Sequence, residues 1–384
     1  MKIAGYTISK VSNTVLPPPE RTTQNFKYVI SAPTIAKADV SEYKQAFLAA
    51  RGQWTQDRKY IYDQYENALN FDAHLTGLIE RRLLSTVGRK LEYVINNEPV
   101  QGIEALTKSP HFEELVRQFL MAKVFYGMGL LEFDKEKYKG KDYMTFTSIP
   151  VKHIDPFNQM VRKYETGVSD EDKSYKNLKN VLFIGETDDF GILQQIALIA
   201  LYKRAVMNDW ASYSQLASTN FREIQYKGAS PDPAKQQAEI DRVLNIGNGV
   251  TAYSLDDMEI KTTNQTSSSQ NDLFESYINY LDETMTKLVL GQTMTTEDGS
   301  SRSQAEVHER TQEDIFDADA KSFLNFMNYQ FYDIHSMYGI PDGGDWRFAE
   351  SGTVKQQQQI ELDLKLKELG YIFTMDEIKQ RYNL

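Results

Sequence analysis

Residues 191–217, GILQQIALIALYKRAVMNDWASYSQLA, hold no proline and no glycine past the first position. A helix of that length runs about 40 Å at the helical rise. Its first half is apolar on nearly every side, so it must be buried in a core or against another subunit. Lys203 and Arg204 interrupt it midway. A second long run follows at 270–291. There Leu273, Tyr277, Leu281, Met285 and Leu288 recur at steps of four, four, four and three, which is one helix face. Gly291 stands where a glycine ends such a helix. Between the two runs, residues 219–266 change texture. FREIQYKG, VTAYSL and MEIKTTN read as strands, and 231–246 as a helix begun by Asp232 and Pro233. Two long helices therefore bracket a small strand–helix–strand–strand module.

Past Gly291 the chain turns polar. QTMTTEDGSSRS, 292–303, reads as a loop. A further helix begins near Ser303, with Glu306 at the spacing of a capping box. Glu306, Glu309, Glu313 and Asp317 then share one face, at steps of three, four and four. The continuation SFLNFMNYQFYDIHSMYG, 322–339, is apolar nearly all round and is predicted to be buried. Residues 271–331 hold twelve Asp and Glu against four Lys and Arg, a balance of −8 in a chain of −11. The charge is either a solvated helical face or a surface that repels another polyanion at close range.

The remainder reads as an α+β domain. Residues 1–40, with Pro17, Pro18 and Pro19 in a row, predict an extended arm, disordered alone or packed on a neighbouring subunit. A helix is predicted over 41–70, capped by Ser41, and a second over 72–87, with Leu75, Ile79 and Leu83 on one face. LEYVI (91–95) reads as a strand. A helix over 110–126 turns Phe112, Leu115, Phe119, Ala122 and Tyr126 inward. LLEF, YMTFTSI, VRKYE and NVLFI are candidate strands. Helices mixed with short strands up to about residue 187 give the α+β class. PDGGDW after Gly339 is a turn-rich break, and 353–369 a Gln- and Leu-rich helix.

Little here suggests chemistry. There is no cysteine, which excludes disulfides, thiolate metal sites and a cysteine nucleophile. His74, His111, His153, His308 and His335 make no paired metal spacing, and no Walker A, G-x-S-x-G or GxGxxG occurs. Gly127 and Gly129 read as a helix end and a strand entry. Glu313, Asp314, Asp317 and Asp319 could be taken for a divalent-metal cluster, but on one helix Asp314 and Asp319 leave the face that Glu313 and Asp317 share. Lys203 and Arg204 read either as a snorkelling pair or a salt bridge, or as phosphate contacts in a channel. Trp210 reads as a packing anchor rather than a base-stacking platform. A pI near 5.1 argues against a protein that grips DNA by neutralising phosphates, but not against one that lets DNA slide past. No stretch reaches the length of a transmembrane helix, and the first twenty residues lack the apolar core of a signal peptide.

GQTMTTEDGSSRSQAEVHERTQEDIFDADA, with LIALYKRAVMNDWASYSQL and FREIQYKG upstream, resembles the Mu-like family of tailed-phage portal proteins. The matching residues are Gly291, Gln292, Thr295, Gly299, Ser300, Gln304, Ala305, Val307, His308, Asp314, Ala318 and Asp319. Upstream they are Tyr202, Lys203, Asp209 and Trp210. The resemblance covers roughly residues 70–380. It implies a wing at 41–187, stem helices at 188–218 and 267–291, a clip at 219–266, and a helical wing or crown region at 304–384. The loop at 292–303 would lie near the channel, with Thr295, Thr296, Glu297, Asp298, Gly299, Ser300, Ser301 and Arg302 in it. Glu306, Glu309, Glu313, Asp317, Lys203 and Arg204 are candidate channel-lining residues. The resemblance further implies a homododecameric ring at a capsid vertex of the virion, assembled in the host cytoplasm. Its partners would be the terminase large subunit, a head–tail connector, the capsid protein or scaffold, and double-stranded DNA passing without sequence preference. No cofactor, no membrane and no enzymatic activity are implied. The readings from other classes are an acidic metal-dependent nuclease or hydrolase using carboxylates of 297–319, and a head–tail adaptor.

Overall fold

The computed structural model describes residues 2–3, 6–7, 20–31, 39–52, 57–107, 109–138, 141–217, 221–226, 232–234, 237, 258–263, 268–291, 302–349, 360, 362–367, 369, 371 and 374. Besides two-residue bridges and single turns, the elements in chain order begin with β1 (Glu20–Thr22), β2 (Lys27–Val29), α1 (Val40–Ala50), α2 (Lys59–Phe71) and α3 (Ala73–Val87). Next come β3 (Leu91–Ile95), α4 (Pro110–Leu120), β4 (Met128–Tyr138), β5 (Lys141–Ile149), β6 (Val181–Gly185) and α5 (Leu193–Ala217). The last are β7 (Phe221–Tyr226), β8 (Met258–Thr263), α6 (Ser268–Leu290), α7 (Arg302–Asn325) and β9 (Asp345–Phe348). They form two compact units, Met1–Ala197 with Met285–Leu384, and Leu198–Thr284.

Short polar side chains start α1, α3 and α4 in the first unit. Asp72 accepts the Leu75 N–H at 3.0 Å to cap α3, and Ser109 accepts from His111 to cap α4, with Pro110 at its first position. The single helix expected over 41–70 is two helices, α1 and α2. Its cap is Asp39 rather than Ser41, and Asp39 takes both the Ser41 N–H (2.7 Å) and its hydroxyl (2.8 Å). The face expected of α3 is the buried one: Leu75, Ile79 and Leu83 are all interior. Over 110–126 the α-helical hydrogen bonding ends at Leu120, and Met121–Tyr126 widens into π-helical turns that stop at Gly127.

The central sheet has the order β6-β4-β5 and is antiparallel throughout, with Phe133 opposite Phe146 and Leu131 opposite Leu182. Its packing onto the helices depends on three glycines with positive φ: Gly127, Gly185 and Gly191. A Cβ on Gly127 would stand 2.5 Å from the Asp189 carbonyl carbon, so the backbones cross with no room for a side chain. Of VRKYE only Val161 joins a strand, in a small sheet of Ile154–Asp155, Met160–Val161 and Lys173–Ser174. The following residues turn through Gly167 (φ +80°) instead of extending.

Two expectations differ from the structure at the chain's ends. PDGGDW is only half a break, because β9 begins inside it and pairs antiparallel with β3, placing Trp346 opposite Tyr93. Residues 20–31, expected in an arm disordered alone or lying on a neighbour, fold onto their own chain, with Phe26 and Tyr28 buried. The burial expected over 322–339 holds for Phe323, Phe326, Met327, Phe331 and Ile334, while Tyr329 and Tyr332 are exposed. The buried rings make a continuous column. Phe119 lies 4.9 Å from Phe326, Phe326 lies 6.4 Å from Phe331, and Phe331 lies 5.6 Å from Phe133 and 6.3 Å from Trp346. Such edge-on and tilted pairs add to the area each ring buries.

In the second unit β7 and β8 form an antiparallel ribbon with Ile224 opposite Ile260. Parts of α5 and α6 complete it. Residues 233, 234 and 237 are helical, as expected. Most of the helix expected over 231–246 and the strand VTAYSL lie outside the described residues. Among the described residues, no helix is long and apolar enough to cross a membrane.

Candidate functional site

The acidic helix α7 is fixed to α3 by arginines. Arg82 forks onto Asp319, with Nε to Oδ2 at 2.7 Å and Nη2 to Oδ1 at 3.0 Å. Its third donor, Nη1, reaches the Val289 carbonyl at the end of α6 at 2.8 Å. Both partners of the ion pair are buried, and the guanidinium lies 5.9 Å from the Phe125 ring centre. One cation thus satisfies a carboxylate on one helix and a terminal carbonyl on another. Arg89 meets Asp317 at 2.7 Å near the surface, and Arg81 donates to Gln312 at 3.3 Å. His74 Nε2 lies 3.0 Å from Thr286 Oγ1, a second link from α3 to α6.

This geometry sorts the residues expected on the acidic face. Glu313 and its neighbour Asp314 are exposed. Asp317 is exposed too, but its charge is offset by Arg89. The side chains of Glu306 and Glu309 lie outside the described residues. So do Thr295, Thr296, Glu297, Asp298, Gly299, Ser300 and Ser301 of the expected channel loop, and the side chain of Arg302, where α7 begins. The carboxylates proposed for a metal do not converge, because Asp317 and Asp319 turn to different arginines. Among the described residues no group of three or more His, Cys, Asp or Glu could hold a metal ion.

Within the second unit, Lys203 is buried. Its ammonium stands 2.6 Å from Asp282, an ion pair between α5 and α6. A charge in that place needs its partner, which fixes the pairing of the two helices. Arg204 is half-buried. Trp210 stacks on Phe274 at 6.2 Å with the planes 10° apart, and Tyr213 closes on the same ring at 5.9 Å, so Trp210 is a packing anchor.

The apolar face expected of α6 divides in two. Leu281 and Met285 are buried, whereas Leu273 is 67% and Tyr277 41% exposed, with Tyr280 beside them at 61%. The cause is geometric. A step of four residues overshoots a full turn by about 40°, so a face built on fours winds around the helix. The stripe that enters the core at Met285 has rotated outward by Leu273.

Arg82 was missed in the sequence. Its signal is there, as a lone cation on the stripe of Leu75, Leu78, Ile79 and Leu83.

No curated protein matches the sequence. Among solved structures, a chain in the neck of an empty GTA particle, computed with C6 symmetry, matches with a TM-score of 0.52 and 12% identity, over 90% of this chain and 99% of that one. A chain in the virion of the native gene transfer agent particle matches with a TM-score of 0.52 and 12% identity, over 89% and 99%. An HK97-family phage portal protein from Corynebacterium diphtheriae matches with a TM-score of 0.42 and 13% identity, over 76% and 96%. At 12% identity the likeness to the two chains with a TM-score of 0.52 concerns the fold, which is mixed helix and sheet, as expected. The model of the family described as the portal protein of Mu bacteriophage matches residues 62–384. That span covers far more than half of the sequence, and the chain belongs to the family of the Mu bacteriophage portal protein.

Proposed function

We propose that the chain is one subunit of a closed ring, a dodecamer at one vertex of a tailed-phage capsid, and the conduit through which DNA is packaged and later ejected. The observation that carries this reading is the outer stripe of α6. Leu273, Tyr277 and Tyr280 stand exposed on one side of a helix whose other side is packed. Apolar groups in such a row are stabilised when a partner covers them. In a head-to-tail ring every copy supplies that cover to the next. The C6 symmetry of the neck in which a similar chain was solved supports the reading.

In this reading the chain catalyses nothing. ATP hydrolysis belongs to the large terminase subunit, which docks on the module at 219–266. A head–tail connector and the capsid protein or scaffold are the other partners. Glu306, Glu309, Glu313 and Asp317 are the candidates for the acidic lining of the passage, and Arg204 and the loop at 292–303 are candidates to lie near it. Like charge keeps DNA mobile, because contacts that neutralise phosphates would hold it.

Tyr277→Glu with Tyr280→Glu places two charges in the seam. Subunit affinity should fall at least about 100-fold, read by light scattering against concentration, with the folded monomer's circular dichroism unchanged. An unaltered assembly takes the seam away from α6. Glu306→Lys with Glu313→Lys should slow DNA packaging while rings persist in electron micrographs. Packaging at the native rate removes these residues from the passage.

A further inference from the structure

We infer that the hairpin of residues 20–31 is an acid-released strap, and that His153 beneath it is the latch. The strap is fastened at two buried carboxylates. Glu132 in β4 accepts the Asn25 backbone N–H at 2.8 Å and its side-chain amide at 2.7 Å. Glu165 accepts the Ser31 backbone N–H at 3.4 Å and the Ser31 hydroxyl. Between these points the Val29 N–H donates to the Lys163 carbonyl at 2.9 Å. Phe26 and Tyr28 point inward.

Tyr28 covers His153, with the ring centres 5.1 Å apart. His153 is fully buried. Its Nδ1 lies 2.9 Å from the Arg162 carbonyl, which can only accept, so Nδ1 carries the proton. Nε2 is then a bare lone pair with no partner among the described residues. A proton placed there would be shut off from bulk solvent and find no acceptor among the described residues while the hairpin is down. The nearby charges on every side are Lys152 next to it, and Glu165 and Asp172 across from it. From α2, Asp63 and Glu66 hold Lys152 at 2.6 and 2.7 Å, and Lys59 stands 3.5 Å from Glu165. Burial outweighs the bond to the Arg162 carbonyl and the two carboxylates and keeps the imidazole below its ordinary range. Glu165, held below the usual carboxylate range by Ser31, Lys152 and Lys59, stays ionised over the same interval.

The consequence follows from linkage. The closed strap binds the His153 proton less tightly than the open strap does. Closure is therefore complete above the ordinary histidine pKa of about 6.5 and weakens as pH falls below it. The opening constant rises about tenfold per pH unit until the closed-state pKa is reached. Opening uncovers Phe26 and Tyr28 and leaves the sheet in place.

Amide hydrogen exchange of residues 26–31 in the full chain, between pH 7.5 and 5.0, tests this. Each rate is divided by the unstructured rate at the same pH. The native hairpin should open about tenfold more per unit below about 6.5, while amides of β4 and β5 hold steady. In His153→Gln and His153→Phe the hairpin's pH dependence should vanish. His335 is the other buried imidazole with a lowered pKa. It accepts from the Trp346 indole at 3.1 Å, so its protonation would loosen β9 and is read there separately. A native hairpin whose opening ignores pH overturns the proposal, and so does an equal rise in both variants. Should the variants not fold, the His153 ring signal and the hairpin amide signals in the native protein must titrate with one midpoint. Separate midpoints reject the latch.

Discussion

Arg82→Ala is expected to lower the stability of the first unit by about 3–5 kcal/mol. The loss comes less from the missing attraction than from what is left behind. Asp319 remains a buried carboxylate, with its side chain 7% exposed and no cation facing it. The Val289 carbonyl at the end of α6 also loses its donor. The exposed pair offers a contrast. Arg89 and Asp317 sit 33% and 70% exposed, so Arg89→Ala should cost no more than about 1 kcal/mol. Arg82→Leu combined with Asp319→Leu should recover most of the Arg82→Ala loss, because apolar groups of similar size replace both charges. Urea unfolding of the single and double variants checks all three. A cost below about 1 kcal/mol for Arg82→Ala would mean water reaches Asp319 and the pair is not buried.

Gly185→Ala is expected to be at least as damaging, by roughly 3–5 kcal/mol. Gly185 ends β6 with φ at +94°, where an L side chain is strained whatever its surroundings. Here the surroundings add to it, because the new Cβ would overlap the Gly127 carbonyl. That carbonyl cannot move aside, since Gly127 is crossed in turn by the Asp189–Gly191 turn. Gly88→Ala is the control. Gly88 has φ at −71°, and its Cβ would stand 3.5 Å from the Leu84 carbonyl. There alanine should be tolerated, with a gain of about 0.4–1 kcal/mol. The difference in melting temperature between the two alanine variants should be about 10 °C in this size range. Equal melting temperatures would show that the backbones at Gly185 do not cross as described.

Local signals were read correctly where they act within one element. The faces of α3 and α4 and the existence of strands β4, β5, β6, β7 and β8 follow from periodicity and turn residues. Long-range decisions were not legible. DWRF has the composition of a strand, but nothing local says that its partner is β3, some 250 residues earlier. The hairpin at 20–31 looks like part of a polar arm until Glu132 and Glu165 are seen to receive its ends. On α6 the error was quantitative, because apolar residues at steps of four were read as one face when the helix carries them around its axis. At the candidate site, sequence alone gave a row of carboxylates. It could not tell that Asp319 and Asp317 belong to α3's arginines while Glu313 stays free to face solvent. Lys203 looked the same in sequence as a phosphate contact and as the partner of Asp282.

The central claim is that identical chains close into a ring around a passage for DNA. Negative-stain electron microscopy of the purified full chain, with light scattering on the same sample, tests it most directly. The account predicts closed rings with a central hole and a mass of many subunits, lost together in the variant carrying Tyr277→Glu and Tyr280→Glu. A single species at the mass of one chain, with no ring at any concentration reached, would contradict it.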